Sequence, residues 1–274
     1  MSERVTVAIQ DGVADVRLNR PEKINALDPL MFEGLIGTGQ ELASNRSLRA
    51  VVLSGEGRGF SAGLDFKGFA AMANRGAASE IVGFSPFDRD PESPANSAQR
   101  AAYIWQEIQL PVIAAVHGVA FGGGLQIALG ADVRYVAPDA QLSVMEVKWG
   151  LIPDMTGSQT LRRLVRLDVA KELTFTGRII SGQEAVELGL ATRVSETPRE
   201  DALALARQIA SRSPDAIRAA KQLLNAAGLL SVEEGLRLEE KLQRSLIGSP
   251  NQVEAVQVNI EKIKKNNTVF GVRC

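Results

Sequence analysis

Residues 111 to 133 read Pro111-Val-Ile-Ala-Ala-Val-His117-Gly118-Val-Ala-Phe-Gly122-Gly123-Gly124-Leu-Gln126-Ile-Ala-Leu-Gly130-Ala-Asp-Val133, and their reading decides the fold. The short apolar, β-branched run between Pro111 and Gly118 predicts a buried strand, and Leu125 to Leu129 continue apolar at helical spacing. Between them lies a glycine turn. Consecutive glycines at the mouth of a helix leave backbone N–H groups unobstructed by any Cβ, and the first helical turn carries unpaired donors that attract negative charge. The turn either reverses the chain and nothing more, or holds an anion. Neither G-x-x-x-x-G-K-[ST] nor G-x-G-x-x-G is spelled, which disfavours nucleotide hydrolysis and dinucleotide binding.

Working outward, the chain opens with Val5 to Ile9 and Val13 to Leu18 alternating around Asp11-Gly12, a hairpin signal. Asp28 reads as an N-cap and Pro29 as the first residue of a helix to about Ser44, followed by a strand at Leu48 to Leu53. The strand-helix-strand order returns at 97–116 and 111–136, predicting parallel pairing through helical crossovers and an α/β core. A second glycine-rich turn, Gly55 to Asp65, again follows a strand and precedes a predicted helix. Residues 76–97 concentrate turn formers, and a loop of that length is expected to cover a pocket. Asp132 to Val136 and Gln141 to Val147 follow, then Gly150 to Gly157, then a helix with Arg162, Arg163 and Arg166. Ser181-Gly-Gln-Glu184 spells a capping box. From Pro198 the strands stop and helices start at Pro198, Ser213-Pro214, Ser231 and Ser249-Pro250. The expected division is an α/β core at 1–197 and a helical region at 198–274 that packs on the core and on neighbouring subunits.

With 274 residues, 45% of them hydrophobic, the chain can bury a full core. Its 31 Lys+Arg balance 32 Asp+Glu, and without a long basic block no nucleic-acid partner is expected. The apolar runs fall short of the ~18 residues that span a bilayer, and Met1-Ser-Glu-Arg opens no signal-peptide core, so a cytoplasmic protein with no membrane partner is expected. One cysteine, Cys274, and one histidine, His117, leave no disulfide and no thiolate or imidazole metal site. His117, at the end of a buried strand, reads as a hydrogen-bonded structural residue. Acid–base work falls to carboxylates.

The glycine turns and their surroundings resemble the crotonase superfamily, also called the enoyl-CoA hydratase/isomerase family. The residues that carry the resemblance are Asn19-Arg20-Pro21 with Asn25-Ala26-Leu27, Gly59 to Asp65, Ala114 to Gly118 with Gly122-Gly123-Gly124, Asp132, Glu146, Gly150 to Pro153, and Leu173 to Gly177. The resemblance implies a spiral of β-β-α units, a C-terminal helical oligomerisation region, and a homotrimer or dimer of trimers. It also implies an acyl-CoA thioester substrate, with coenzyme A part of that substrate and no separate cofactor. The thioester oxygen would lie between the backbone N–H groups of Ser61 and Gly123, with Ala62, Gly63 and Leu64 along the CoA-binding edge.

The carboxylates depart from the hydratase pattern of that family. Hydratases carry two glutamates; here the second stands at Glu146 and the first position is Gln126, whose amide cannot exchange protons at neutral pH. Asp154, eight residues after Glu146, resembles the dienoyl-CoA isomerases, which also carry an aspartate at the Gln126 position. Glu146 and Asp154 are then the two proton carriers of a double-bond shift, with Gln126 orienting substrate, water or Glu146. Asp154 as a mere N-cap for a helix starting near Thr156, hydration through Glu146 alone, and a binding protein without turnover are the alternatives.

Overall fold

Asp11 and Gly12 both take positive φ, 51° and 76°, the backbone of a type I′ turn whose twist matches that of its flanking strands. They join β1 (Val5–Gln10) and β2 (Val13–Leu18) as an antiparallel hairpin with Gln10 opposite Val13. This computed structural model describes residues 4–65, 84–91 and 93–269, the last six by their backbone. It forms two compact units, Met1–Arg207 and Gln208–Cys274.

In the first unit, β2 pairs in parallel with β3 (Ala50–Gly55), β3 with β4 (Val112–Val116), β4 with β6 (Val133–Val136) and β6 with β9 (Arg193–Val194). Parallel neighbours need crossovers, supplied between the first four of these strands by α1 (Pro29–Ser44), α2 (Ser97–Glu107) and α3 (Gly123–Leu129). Asp28 caps α1 as predicted, accepting from the Met31 N–H at 2.9 Å. A reciprocal Asn96–Gln99 capping box starts α2. Leu18, Leu53, Trp105, Val116 and Ile127 form the fully shielded centre, each stabilising the fold by about 1.5–3 kcal/mol relative to exposure.

A smaller sheet, β5 (Val119–Phe121), β7 (Gln141–Ser143) and β8 (Ile180–Ser181), is extended by the isolated bridges Leu27–Leu64 and Ser61–Ala120. Successive turns of the chain thus give one strand to the large sheet, one short extended piece to the small one, and a helix. This is the spiral of β-β-α units expected from the sequence, and it stacks the two glycine turns against each other.

Of the segment Gln141 to Val147 only the first three residues are strand, because a 3₁₀ turn at Glu146–Trp149 takes over. Ser181 accepts from the Glu184 N–H at 3.1 Å, but the Glu184 carboxylate receives Arg178 Nη1 at 2.7 Å, so the expected box is half formed. The unit boundary falls inside α7 (Pro198–Ala210) rather than before it: Pro198, Ala202 and Ala206 are buried, and Arg199 pairs with Asp15. The helix predicted after Asp65 lies outside the described residues, as do 76–83 and 92 of the long loop.

The second unit holds α8 (Pro214–Ala227), α9 (Val232–Leu246) and α10 (Pro250–Val269). Ser231 and Glu234 form a full capping box on α9, and Asn251 Nδ2 donates to Asp215 Oδ2 at 2.6 Å. Val232, Leu236 and Ile247 stay exposed. No helix among the described residues is long and apolar enough to cross a membrane.

Candidate active site

Buried Asn25, in the left-handed region at φ 52°, organises the Gly55 to Asp65 turn. Its Nδ2 faces the carbonyls of Glu56, Gly59 and Phe60 at 2.9–3.1 Å, and its Oδ1 accepts from the Arg20 N–H. Arg20 Nη1 reaches Asp65 Oδ2 at 2.6 Å. The Asn19 to Leu27 segment therefore holds Gly55 to Asp65 at both ends. His117, whose Nε2 lies 2.9 Å from the Gly57 carbonyl, adds a structural tie.

The expected role of the Ser61 N–H is corrected by this register. In the Ser61–Ala120 bridge, Ser61 donates its N–H to Val119 O at 2.9 Å and accepts from the Phe121 N–H at 3.0 Å. Its hydroxyl donates to Asn25 O and the residue is wholly buried. Three residues on, the partner strand swaps sides: Leu27 bonds Gly63 O and the Asp65 N–H, which turns the Leu64 N–H away from that strand. Among the described residues neither the Leu64 nor the Gly123 N–H meets an intramolecular acceptor, and both residues line one cavity. Sequence could not show this, because which residue of an extended piece has its N–H occupied depends on its partner.

The glycine triplet is demanded by close approach. Gly122, the residue before α3, has φ 51°, and a Cβ on Gly124 would stand 2.7 Å from the Ser61 carbonyl oxygen. The cavity is about 320 Å³ in volume. Ala62, Gly63 and Leu64 form one edge; Gly123, Gln126, Glu146 and Asp154 converge on it; Phe32, Phe84, Phe87 and Trp149 supply apolar wall. Phe32 and Phe84 stack with ring centroids 4.8 Å apart. The 76–97 loop thus contributes Phe84, Pro86 and Phe87 to the lining, as its length suggested, whereas Phe32 and Trp149 carried no signal in the sequence.

The carboxylates sit in unlike surroundings. Glu146 Oε1 receives Gln126 Nε2 at 2.5 Å and lies next to Gly122, while Oε2 is shielded and has no partner. Burial pushes the Glu146 carboxyl above the usual range; its own backbone N–H and Gln126 oppose the rise, and the Asp154 charge adds to it. Asp154 stands at the rim, solvent-reached on one side, and the protein crowding its other side raises it too. It caps nothing: α4 (Gly157–Leu164) is preceded by Thr156, in the left-handed region at φ 75°, with no side-chain cap. Two carboxyls held toward their protonated forms beside two open N–H donors can move protons about a developing oxyanion. No group of three metal-ligating residues occurs among the described residues.

The sequence matches the enoyl-CoA hydratase/isomerase family over residues 8–268. It is 32% identical over 266 residues to a protein of Bacillus subtilis (strain 168) named "Probable enoyl-CoA hydratase", covering 95% of this chain and 96% of that protein. It is 33% identical over 274 residues to the human mitochondrial Delta(3,5)-Delta(2,4)-dienoyl-CoA isomerase, covering 98% of this chain and 82% of that one. A Thermobifida fusca YX structure in complex with CoA superposes with a TM-score of 0.77 at 33% identity, covering 90% of this chain and 93% of that chain. A match along nearly the whole chain, on the β-β-α spiral, places this protein in the enoyl-CoA hydratase/isomerase family.

Proposed function

We propose that the protein binds an enoyl- or dienoyl-CoA thioester and shifts its double bond through an enolate-like intermediate. The thioester oxygen lies between the Leu64 and Gly123 N–H groups, and Ala62 and Gly63 follow the CoA edge. One of the Glu146–Asp154 pair, as carboxylate, takes a proton from carbon; the electrons of that C–H bond move into the conjugated system and the oxygen becomes the oxyanion. The other, protonated, delivers its proton to a carbon further along, which restores the thioester carbonyl with the double bond displaced. Solvent then resets the two carboxyls. Each aimed N–H can be worth about 2.7–4 kcal/mol in such a transition state. Proton transfer of this kind needs no metal or redox cofactor.

The observation that carries this reading is a second raised carboxyl, Asp154, lining the same cavity as Glu146 while Gln126 offers no acid–base group. The test is direct: incubation with a 2-enoyl-CoA and a 3,5-dienoyl-CoA, following the ultraviolet bands of the conjugated thioesters. Isomerisation of the dienoyl-CoA is expected; hydration alone, or inertness toward both, overturns it. We also infer a homotrimer or dimer of trimers, supported by the exposed Val232, Leu236 and Ile247 of the helical unit. Analytical ultracentrifugation showing a monomer would refute that assembly.

A further inference from the structure

Gln126 is almost wholly buried, and both ends of its amide are fixed. Its Oε1 accepts two backbone N–H groups, from Met155 at 2.9 Å and from Gly157 at 2.8 Å. Those donors converge because Thr156 between them is left-handed, an unusual place for a β-branched residue and the kind of backbone concavity that grips an oxygen acceptor. The grip assigns the amide: with the oxygen held there, the NH₂ must face Glu146, where it donates to Oε1 at 2.5 Å. Glu146 Oε2 is left without a partner.

We propose that Gln126 is a positioning residue: it holds Glu146 by Oε1, leaves Oε2 as the oxygen that carries the proton, and at its own position offers no acceptor for a proton of water. The inference rests on the reading of this cavity as an enoyl-CoA site and concerns how Gln126 weights double-bond shift against addition of water. Hydration needs one group to accept a proton from water while another proton reaches carbon. Both lone pairs of the Gln126 oxygen are taken up by Met155 and Gly157, so Gln126 can only donate. The geometry also sets the charge environment of Glu146. The groups acting on its carboxylate are its own backbone N–H, the Gln126 amide and the Asp154 charge, and among the described residues no cation pairs with it.

The test uses three variants. Gln126→Met keeps the bulk and removes the donor to Oε1; Gln126→Glu keeps an oxygen for the two N–H groups and sets a second carboxyl against Oε1. Gly157→Ala keeps Gln126 itself, but its Cβ would stand 2.7 Å from Pro153 Cβ and 2.8 Å from Gln126 Oε1, so the amide oxygen must give way. Carbon-13 NMR titration of labelled glutamate, with the Glu146 signal assigned by its loss in Glu146→Gln, reads the effect without turnover. In Gln126→Met and Gly157→Ala the Glu146 titration should move to higher pH by about one unit or more, since a hydrogen bond to the charged form is lost. In Gln126→Glu the two carboxyls should titrate as a coupled pair in two steps. On 2-enoyl- and dienoyl-CoA substrates, Gln126→Met should lower kcat by about 10²-fold with KM little changed. Gln126→Glu should raise hydrated over isomerised product.

An unmoved Glu146 titration in folded Gln126→Met and Gly157→Ala overturns the clamp, and an unchanged product ratio in Gln126→Glu overturns its role in selectivity. If the wild-type protein turns over no enoyl-CoA while the titrations shift as stated, the clamp stands and the functional reading falls.

Discussion

The Ser61 N–H donates to the Val119 carbonyl over 2.9 Å, so in this spiral the open donor on the Gly55 to Asp65 turn belongs to Leu64. Replacing the Leu64 amide by an ester, through incorporation of the α-hydroxy acid, should lower kcat about 10²–10³-fold while leaving CoA-thioester affinity within a few-fold. Ser61→Ala should instead cost about 1–3 kcal/mol of stability, because the buried Asn25 carbonyl loses its hydroxyl partner, with kcat little changed. Single-turnover kinetics together with chemical denaturation separate the two; a rate loss in Ser61→Ala equal to that of the Leu64 ester would restore Ser61 to the mechanism.

Glu146→Gln should abolish turnover and leave acyl-CoA binding nearly intact. The amide keeps the shape, and its oxygen can still accept from Gln126, but it cannot take up a proton. Calorimetric titration with a CoA thioester, beside the rate assay, is the measurement. Turnover within a few-fold of wild type would remove Glu146 from the chemistry.

Asp154→Asn distinguishes the two enzyme readings. As a proton carrier its loss should reduce dienoyl-CoA isomerisation by about 10²–10⁴-fold with little change in affinity. Strong wild-type hydration that survives Asp154→Asn would defeat the isomerase reading. A helix-cap role would show as a loss of at most ~1 kcal/mol in stability, a result the uncapped start of α4 argues against.

The raised carboxyls also predict how stability depends on pH. A carboxyl whose folded value lies above its unfolded value favours the folded state in its protonated form. Its contribution is complete below the unfolded range near pH 4 and is lost as pH rises through the folded value. Glu146→Gln removes that loss, so thermal melts should show the variant gaining on wild type as pH rises from about 4 through the raised folded value. Asp15 has the opposite sign: burial alone would raise it, but hydrogen bonds from Arg199 and Arg17 outweigh burial and lower it. Asp15→Asn should therefore destabilise at neutral pH and cease to matter in acid. Parallel slopes for both variants would contradict the assignment.

Thr156 is both left-handed and left with a buried, unpartnered hydroxyl. Thr156→Gly removes both costs and should raise stability by about 1 kcal/mol, after the added backbone entropy of glycine is subtracted. Differential scanning calorimetry reads this, and a lower melting temperature would mean that the Thr156 side chain supports the turn in a way its hydrogen bonds do not show.

Much of this molecule is written in local chemistry. Asp11-Gly12 can only be a tight hairpin turn, Asp28-Pro29 starts a helix whatever surrounds it, and Ser231 with Glu234 caps the next one along the tail, because each depends on neighbours within a turn of chain. The glycine triplet was legible for the same reason, whereas Glu146 and Asp154 stood out among the carboxylates only through the resemblance to the enoyl-CoA hydratase/isomerase family. Which N–H remains open was not legible, since Ser61 and Leu64 differ only in which side of the strand their partners occupy, and those partners come from Val119, Phe121 and Leu27 far along the chain. Nor was the orientation of Gln126, which is imposed by the backbone on either side of Thr156, nor the aromatic wall that Phe32 completes from α1. The sequence by itself determined most of the elements and their parallel order, and its family resemblance named the candidate proton carriers. Only the tertiary structure decided which donors and which oxygen face the cavity, because a hydrogen bond made across the fold occupies one group and leaves its neighbour open.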